Sequence, residues 1–336
     1  MESYQKIVSS RGILCSCDLY SRAPTSSTPH VEFGESGELA SGGSIYCCTD
    51  ALENFANGVI DEISMPFVLV SGDSDTVVSP QTLGQGVFEK ILAHPTLLRW
   101  YAQNLGAAGE ELHFLPIGVD YHTMSTRPHQ MGDTVRRSAF EQERVLFDVR
   151  NRALPAQQRK CQIYCNWHHR LYDRGPGAPP GWGEERVACF EQVDHSVCFF
   201  EPAFAPRFDT WARQVEYAFV LCPVGAGPDT HRLWESLAMG CIAIVKRNFM
   251  SQFLSDLPVV VVDDWREISA AFLQDTLARI SARSFNFAKL YLEYWRRAIR
   301  GAAPVDVPAM TLLQYQTECC FRMFAGCARM TPGEHR

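Results

Sequence analysis

Three observations predict an α/β fold of two domains, each built on a parallel sheet. Short apolar runs of strand length recur at 44–48, 65–70, 112–117, 160–165, 218–222, 241–245 and 257–262, with helical spacing between several of them. Pro, Gly and Asp gather at the carboxyl ends of these runs, where strands of a parallel sheet open into a ligand crevice. The chain has 336 residues, 46% of them hydrophobic, ample for two cores. Leu154-Pro155 ends a long helical stretch, so the domains are expected at 1–155 and 156–305, with a C-terminal helix in 306–336.

In chain order, residues 21–43 are rich in Ser, Thr, Pro and Gly and read as a loop. Residues 44–48 form a strand, Thr49 or Asp50 caps the next helix, and 65–70 form a strand with Ser71, Gly72, Asp73, Ser74 and Asp75 at its mouth. Pro80 opens a helix at a position where proline is tolerated. Residues 96–104 read as a helix with Leu97, Leu98 and Tyr101 on one face, leading into the strand at 112–117 and then Gly118, Asp120, Tyr121 and His122. Residues 134–152 read as a long helix with Arg and Glu on its outer face.

The second domain begins with the strand 160–165, followed by Asn166, Trp167, His168, His169 and Arg170 at its carboxyl end. Asn166 and Arg170 are candidates for phosphate or sugar contacts there. Adjacent histidines point apart and no third ligand has suitable spacing, so a loop role is expected for them. Residues 172–183 form a Gly and Pro loop, and Arg186 starts the next helix as a further phosphate candidate. Residues 284–300 read as a helical packing surface and 308–325 as a final amphipathic helix.

The most informative stretch is YAFVLCPVGAGPDTHRLWESLAMGCIAIV, residues 217–245. The apolar run ending at Cys222 meets Pro223, Gly225, Gly227 and Pro228, as a buried strand entering a tight loop does. Asp229 or Thr230 can cap a helix whose apolar face is Leu233, Trp234, Leu237 and Ala238, and Gly240 suits its left-handed stop. A strand, helix and strand of this length form a right-handed parallel crossover. Glycines, free amides at the helix start and Arg232 favour an anion such as a diphosphate, and Glu235 one turn on can accept from ribose hydroxyls. Arg232 and Glu235 could instead pair with each other at i, i+3. Lys246 and Arg247 follow the next strand, where they can stabilise a departing nucleotide or form a solvated turn.

Asp73 and Asp75 admit two functional readings. They resemble a carboxylate pair that holds a divalent ion against donor phosphates, which would require phosphate binding in the first domain. Alternatively one of them deprotonates an attacking hydroxyl at the strand mouth. The second is preferred, because the anion-binding loop lies in the other half; Asp73 can also simply accept from backbone amides in a turn.

Net charge is -7, but residues 1–150 hold 10 Lys and Arg against 19 Asp and Glu, whereas 151–336 hold 21 against 19. An acidic total without a basic cluster argues against nucleic acid as a partner. Thirteen cysteines lack any CxxC spacing, so no zinc site is expected. No apolar run is long enough to span a bilayer and no secretory signal is visible, so a soluble cytoplasmic protein without a membrane anchor is expected.

The string CPVGAGPDTHRLWESLAMGCIAIV resembles the donor-binding segment of exostosin-like glycosyltransferases, in which a Pro and Gly loop precedes a helix carrying Arg and Glu. FVLVSGDSD at 67–75, HPTLLRWYAQN at 94–104 and FLPIGVDYHT at 114–123 resemble the acceptor half of similar enzymes in algae, bacteria and large DNA viruses. The likeness spans residues 60–265. It implies the GT-B architecture: two Rossmann-like domains facing a cleft, with the C-terminal helix crossing back to the first domain. It also implies inverting transfer from a UDP-sugar, with a pentose such as xylose as a donor, to a hydroxyl of a glycan or glycoprotein acceptor, and no required metal or other cofactor.

On this likeness the donor contacts are Asn166, Arg170, Cys222, Pro223, Gly225, Gly227, Asp229, Thr230, His231, Arg232, Glu235, Lys246 and Arg247. Asp73, or failing that Asp75, is the base, and Ser71, Gly72, Asp120, Tyr121 and His122 contact the acceptor. The animal exostosins are anchored in the Golgi membrane, and this chain departs from them. Two alternatives remain at this stage: a metal-dependent transferase of the GT-A kind using Asp73 and Asp75, and a non-catalytic partner that binds nucleotide or glycan.

Overall fold

A computed structural model describes the chain except for residues 1, 3, 32, 34–38, 168–182, 304–306 and 318–336. Four strands, β1 (Gly43–Cys48), β2 (Phe67–Gly72), β3 (Leu97–Ala102) and β4 (Leu112–Phe114), form a parallel sheet in sequential order. Five more, β5 (Lys160–Cys165), β6 (Cys198–Phe200), β7 (Tyr217–Leu221), β8 (Ile242–Lys246) and β9 (Val259–Val262), form a second parallel sheet. The expected α/β class with parallel, Rossmann-like sheets is therefore present in both halves. β2 and β7 are buried along their whole length, as runs covered on both faces must be, and both read as unbroken apolar stretches.

The second sheet runs β6-β5-β7-β8-β9, so its winding reverses at β5. A crevice opens beyond the carboxyl ends of β5 and β7, where a doubly wound sheet takes its ligands. The first sheet has no such reversal among its four strands.

Residues 96–104 are not a helix, as their spacing suggested, but contain strand β3, paired with β2 and β4. Leu97, Leu98 and Tyr101 fit one helical face equally well, because so short a run does not separate the two periods. The sheet decides, because Trp100, Tyr101 and Ala102 complete the core only in an extended strand, where Trp100 donates through Nε1 to Ser71 Oγ at 2.9 Å. The long helix is Ala139–Arg152, entered through a capping box of Ser138 and Glu141.

The two halves meet through an apolar seam. Phe114, at the end of β4, stacks on Phe253 at 5.0 Å, lies 6.3 Å from Trp234 and meets Trp295 edge-on at 5.9 Å. Burying a side chain of this size contributes roughly 1.5–3 kcal/mol. The segment 284–300 is a short strand Ser284–Phe285, a turn at Phe287–Leu290 and the helix Leu292–Ile299. It reaches the first half directly: Leu292 N donates to Lys6 O at 2.8 Å, Val8 N to Leu290 O at 2.9 Å, and Tyr101 Oη to Ala298 O at 2.9 Å.

The described part of the final helix is Leu312–Thr317. Its contacts to the second half come from Tyr315, which donates to Ala238 O at 3.0 Å, and Gln316, which donates to Gly240 O at 2.9 Å. Arg150, from the long helix of the first half, lies 5.0 Å above the Tyr315 ring. The rest of the expected helix, to residue 325, lies outside the described residues.

Candidate functional site

The loop after β7 folds for reasons other than those its glycines suggested. A Cβ on Gly227 would sit 2.8 Å from Asn104 Nδ2 and 3.0 Å from Asp75 O, so this glycine lets the first half approach the loop. A Cβ on Gly225 would sit 2.8 Å from Arg186 Nη2, and Arg186 Nε donates to Val224 O at 3.2 Å. Both glycines thus make room for protein groups.

Asp229 is a clamp between the halves. Its Oδ2 accepts from Ile117 N at 2.7 Å, its Oδ1 from Thr230 N at 2.9 Å and Trp234 Nε1 at 2.8 Å, and its own N donates to Asn104 Oδ1 at 3.0 Å. It is 3% exposed, which removes it from the expected donor contacts. Burial pushes its carboxyl up to about 6 against the pull of those hydrogen bonds. Thr230 takes the N-cap position of the helix His231–Ala238 without a side-chain capping bond.

Beyond this loop lies a cleft of about 580 Å³. Arg232, in the first turn of the helix, donates from Nε to Asn166 Oδ1 at 2.8 Å, and both residues line the cleft. Asn166 follows β5 and Arg232 follows β7, so the pair stands at the reversal of the sheet. Glu235 does not pair with Arg232. It accepts from Arg207 Nη2 and, at 2.9 Å, from Trp211 Nε1, two side chains of the helix Arg207–Gln214. Arg207 is buried, and the pairing holds the Glu235 carboxylate against the cleft wall.

Across the cleft, the first half contributes Asp120, with His122 directly beside it. His122 Nδ1 lies 3.1 Å from Asp120 Oδ1, which also accepts from Thr123 N at 2.9 Å. Burial opposes ionisation of Asp120, but His122, His231, Arg207 and the Thr123 amide outweigh it and hold this carboxyl below the usual range. Burial lowers the imidazole pKa of His122, against the pull of the Asp120 carboxylate beside it. His231 joins the group with its ring 6.0 Å from that of His122, and its Nδ1 donates to Gly118 O at 2.7 Å.

Several expected residues are elsewhere. Asp73 is buried at the end of β2 with a left-handed φ of 53°, its Oδ1 accepting from Ser26 Oγ at 2.8 Å and its Oδ2 3.7 Å from Arg11 Nε. It fastens the 21–31 loop and does not line the cleft, nor does Asp75, whose carbonyl packs at Gly227. Ser71 is fully buried against Trp100, and a Cβ on Gly72 would sit 2.3 Å from Gln103 Oε1, so neither faces a ligand.

Tyr121 is also fully buried, its hydroxyl 3.4 Å from Glu143 Oε1. Cys222 and Pro223 belong to the packed strand end, and burial pushes the Cys222 thiol up to about 12. Lys246 lies 3.5 Å from Glu185, and Arg247 is paired with Asp263 on the exposed surface. Neither cation lines the cleft. Arg170, His168 and His169 lie outside the described residues.

Of the expected site, the structure brings together Asn166, His231, Arg232, Glu235, Asp120 and His122. Sequence reasoning missed Arg207 and Trp211, whose helix carries no motif; their Arg and Trp four residues apart were the available signal. Among the described residues no group of three His, Cys, Asp or Glu could hold a metal ion, and no helix is long and apolar enough to cross a membrane. No protein-family model matches the chain, and no curated protein matches it either.

Proposed function

We propose that the chain is a glycosyltransferase of the two-domain GT-B kind, moving a sugar from a UDP-sugar to a hydroxyl of a glycan. The observation that carries this reading is the meeting of Asn166 and Arg232 at the reversal of the second sheet, facing Asp120 across the cleft, with His122 3.1 Å from that carboxylate. In this reading the start of the helix His231–Ala238 and the Arg232 guanidinium hold the diphosphate. Glu235, already oriented by Arg207 and Trp211, keeps acceptor capacity for ribose hydroxyls.

His122 replaces Asp73 as the base. With Nδ1 turned to Asp120, its other nitrogen is the one left for a substrate proton, and the ionised carboxylate stabilises the imidazolium that forms. The acceptor oxygen bonds to the anomeric carbon as the bond to the diphosphate breaks; the proton passes to His122 and the negative charge leaves with UDP. Arg232 stabilises that charge, and direct displacement inverts the anomeric centre.

Calorimetric titration with UDP tests the reading on wild type, Arg232→Ala and Asn166→Ala. Binding weakened at least tenfold in Arg232→Ala, about 1.4 kcal/mol, is expected. A wild-type protein that does not bind UDP, or an Arg232→Ala protein that binds it equally well, refutes the site.

A further inference from the structure

A hollow of about 530 Å³ lies at the amino ends of β5 and β7, opposite to the ends where the cleft opens. Lys160, the first residue of β5, and Glu216, which precedes β7, both line it. Its volume falls within the roughly 300–1,000 Å³ of small-ligand sites. Both halves build its apolar wall. Val149, Ala153 and Leu154 come from the end of the long helix of the first half, and Ala212 and Val215 from the end of the helix Arg207–Gln214. Leu154 is 57% exposed, a large apolar side chain that the fold leaves in water.

Gln158 and four charged side chains complete the lining. Lys160 Nζ pairs with Glu216 Oε2 at 2.7 Å, so those two charges offset each other. The remaining two are guanidiniums. Arg159 is 6% exposed, and its acceptors are two carbonyls and a sulfur: Nε donates to Leu154 O at 2.7 Å, Nη1 to Cys241 Sγ at 3.2 Å and Nη2 to Met239 O at 3.3 Å. A guanidinium has about five N–H groups, so some of its donor capacity is unspent. Arg152 donates from Nε to Asp148 O at 3.1 Å. Among the described residues neither guanidinium has a carboxylate partner. A buried cation without a counter-ion is costly, and a bound anion offsets that cost. The planar guanidinium fork fits a carboxylate, and the apolar wall asks for hydrocarbon on the rest of the ligand. A singly charged head also costs less to desolvate there than a phosphate dianion.

We propose that this hollow binds an amphiphilic monocarboxylate, its head on Arg159 and Arg152 and its chain along Leu154 and Val215, and that the bound ligand ties the two halves together. The chain crosses from one half to the other through 153–159, and Ala153, Leu154, Gln158 and Arg159 of that crossing line the hollow, so the ligand sits on the hinge. The helix Arg207–Gln214 carries the effect onward. Ala212 lines the hollow, whereas Arg207, Thr210 and Gln214 line the cleft, and Arg207 holds Glu235 there. Occupancy of the hollow thus bears on the cleft from behind, without contact with whatever the cleft holds.

Calorimetry on the whole chain compares octanoate with octanol, which keeps the chain and lacks the charge, and with inorganic phosphate, which keeps the charge and lacks the chain. Arg152 and Ala212 are exposed, so Arg152→Ala and Ala212→Trp leave the fold intact, and the tryptophan fills the hollow. Octanoate is expected to bind at one site, about tenfold tighter than octanol or phosphate, and to weaken severalfold in both variants. Hydrogen exchange is expected to slow severalfold at 153–160 and in Arg207–Gln214 when octanoate is added to wild type, and to stay unchanged in Ala212→Trp. No octanoate binding, binding indifferent to both variants, or binding matched by octanol overturns the site. Phosphate that binds as tightly as octanoate overturns it too, since the apolar wall is then idle. Slowed exchange confined to other segments overturns the tie between the halves. A two-chain species in sedimentation velocity that Leu154→Asp splits gives the hollow to a second copy and overturns the small ligand. Neither binding nor exchange involves a nucleotide, so these outcomes are separate from those of the UDP titration.

Discussion

Asp229→Asn reports on the clamp between the two halves through its pH dependence. The wild-type carboxyl is raised from 3.8 to about 6 by burial, so between those values the unfolded chain releases a proton that the folded chain retains. Stability from this group is complete below pH 3.8 and falls as pH rises to 6. The loss is roughly 3 kcal/mol, since each tenfold change in the proton equilibrium is worth about 1.36 kcal/mol. Asparagine has the same shape and does not titrate. Its amide keeps one oxygen for Thr230 N and Trp234 Nε1 but turns an NH2 toward Ile117 N, an offset of about 1–3 kcal/mol that does not vary with pH. Urea unfolding of both proteins at pH 4 and pH 7 therefore gives a difference that moves in favour of the variant by ~3 kcal/mol across the interval. A difference that stays constant, or moves toward wild type, refutes the account: the three donors would then outweigh burial and the carboxylate would be ionised throughout. Asp229→Ala supplies the contrast, because it strands three N–H groups and costs ~3 kcal/mol or more at either pH.

Glu2 is raised from 4.5 to about 7 by burial, against the hydrogen bond from Ser9, so stability falls as pH rises through that window; in Glu2→Gln the slope of unfolding free energy between pH 5 and 7 flattens. Gly227→Ala places a methyl group against Asn104 and the Asp75 carbonyl and is expected to cost ~1–3 kcal/mol in urea unfolding. Arg207→Ala leaves the Glu235 carboxylate without its buried cation; a loss of roughly 3–5 kcal/mol is expected by thermal or urea unfolding, with Arg207→Met, which removes the charge but keeps the bulk, no better.

The sheet of the second half and the crossover around Arg232 were legible because consecutive apolar runs there are bounded by Gly and Pro, and because Gly240 takes its left-handed φ of 73° at the helix stop. β3 was not legible, since Leu97, Leu98 and Tyr101 satisfy a helix and a strand alike and only pairing with Phe67–Gly72 separates them. The candidate site divides in the same way. Arg232, Asn166 and Glu235 sit next to local punctuation and line the cleft. Ser71, Gly72 and Asp73 sit beside the same kind of punctuation, but Gln103 and the 21–31 loop cover that strand mouth, and no local pattern announces a cover that comes from a distant segment. Gly227 misled for a related reason: close backbone approach is what a glycine permits, and the approaching group is Asn104 from the other half.

The pairing of residues near position 7 with those near position 291 gives the chain a circuit that only its late part can close. During synthesis the first sheet can collapse early, but Val8 has to wait for Leu290 before its amide is satisfied, so a partner hundreds of residues away completes a unit that looks local in sequence. Loop closure over that span adds little equilibrium cost, because it grows only with the logarithm of length, yet contacts of such high sequence separation form late. Emerging chains therefore carry an open amino-terminal edge for most of translation, and the order of assembly runs from the two sheets inward to the tie that joins the beginning of the fold to its end.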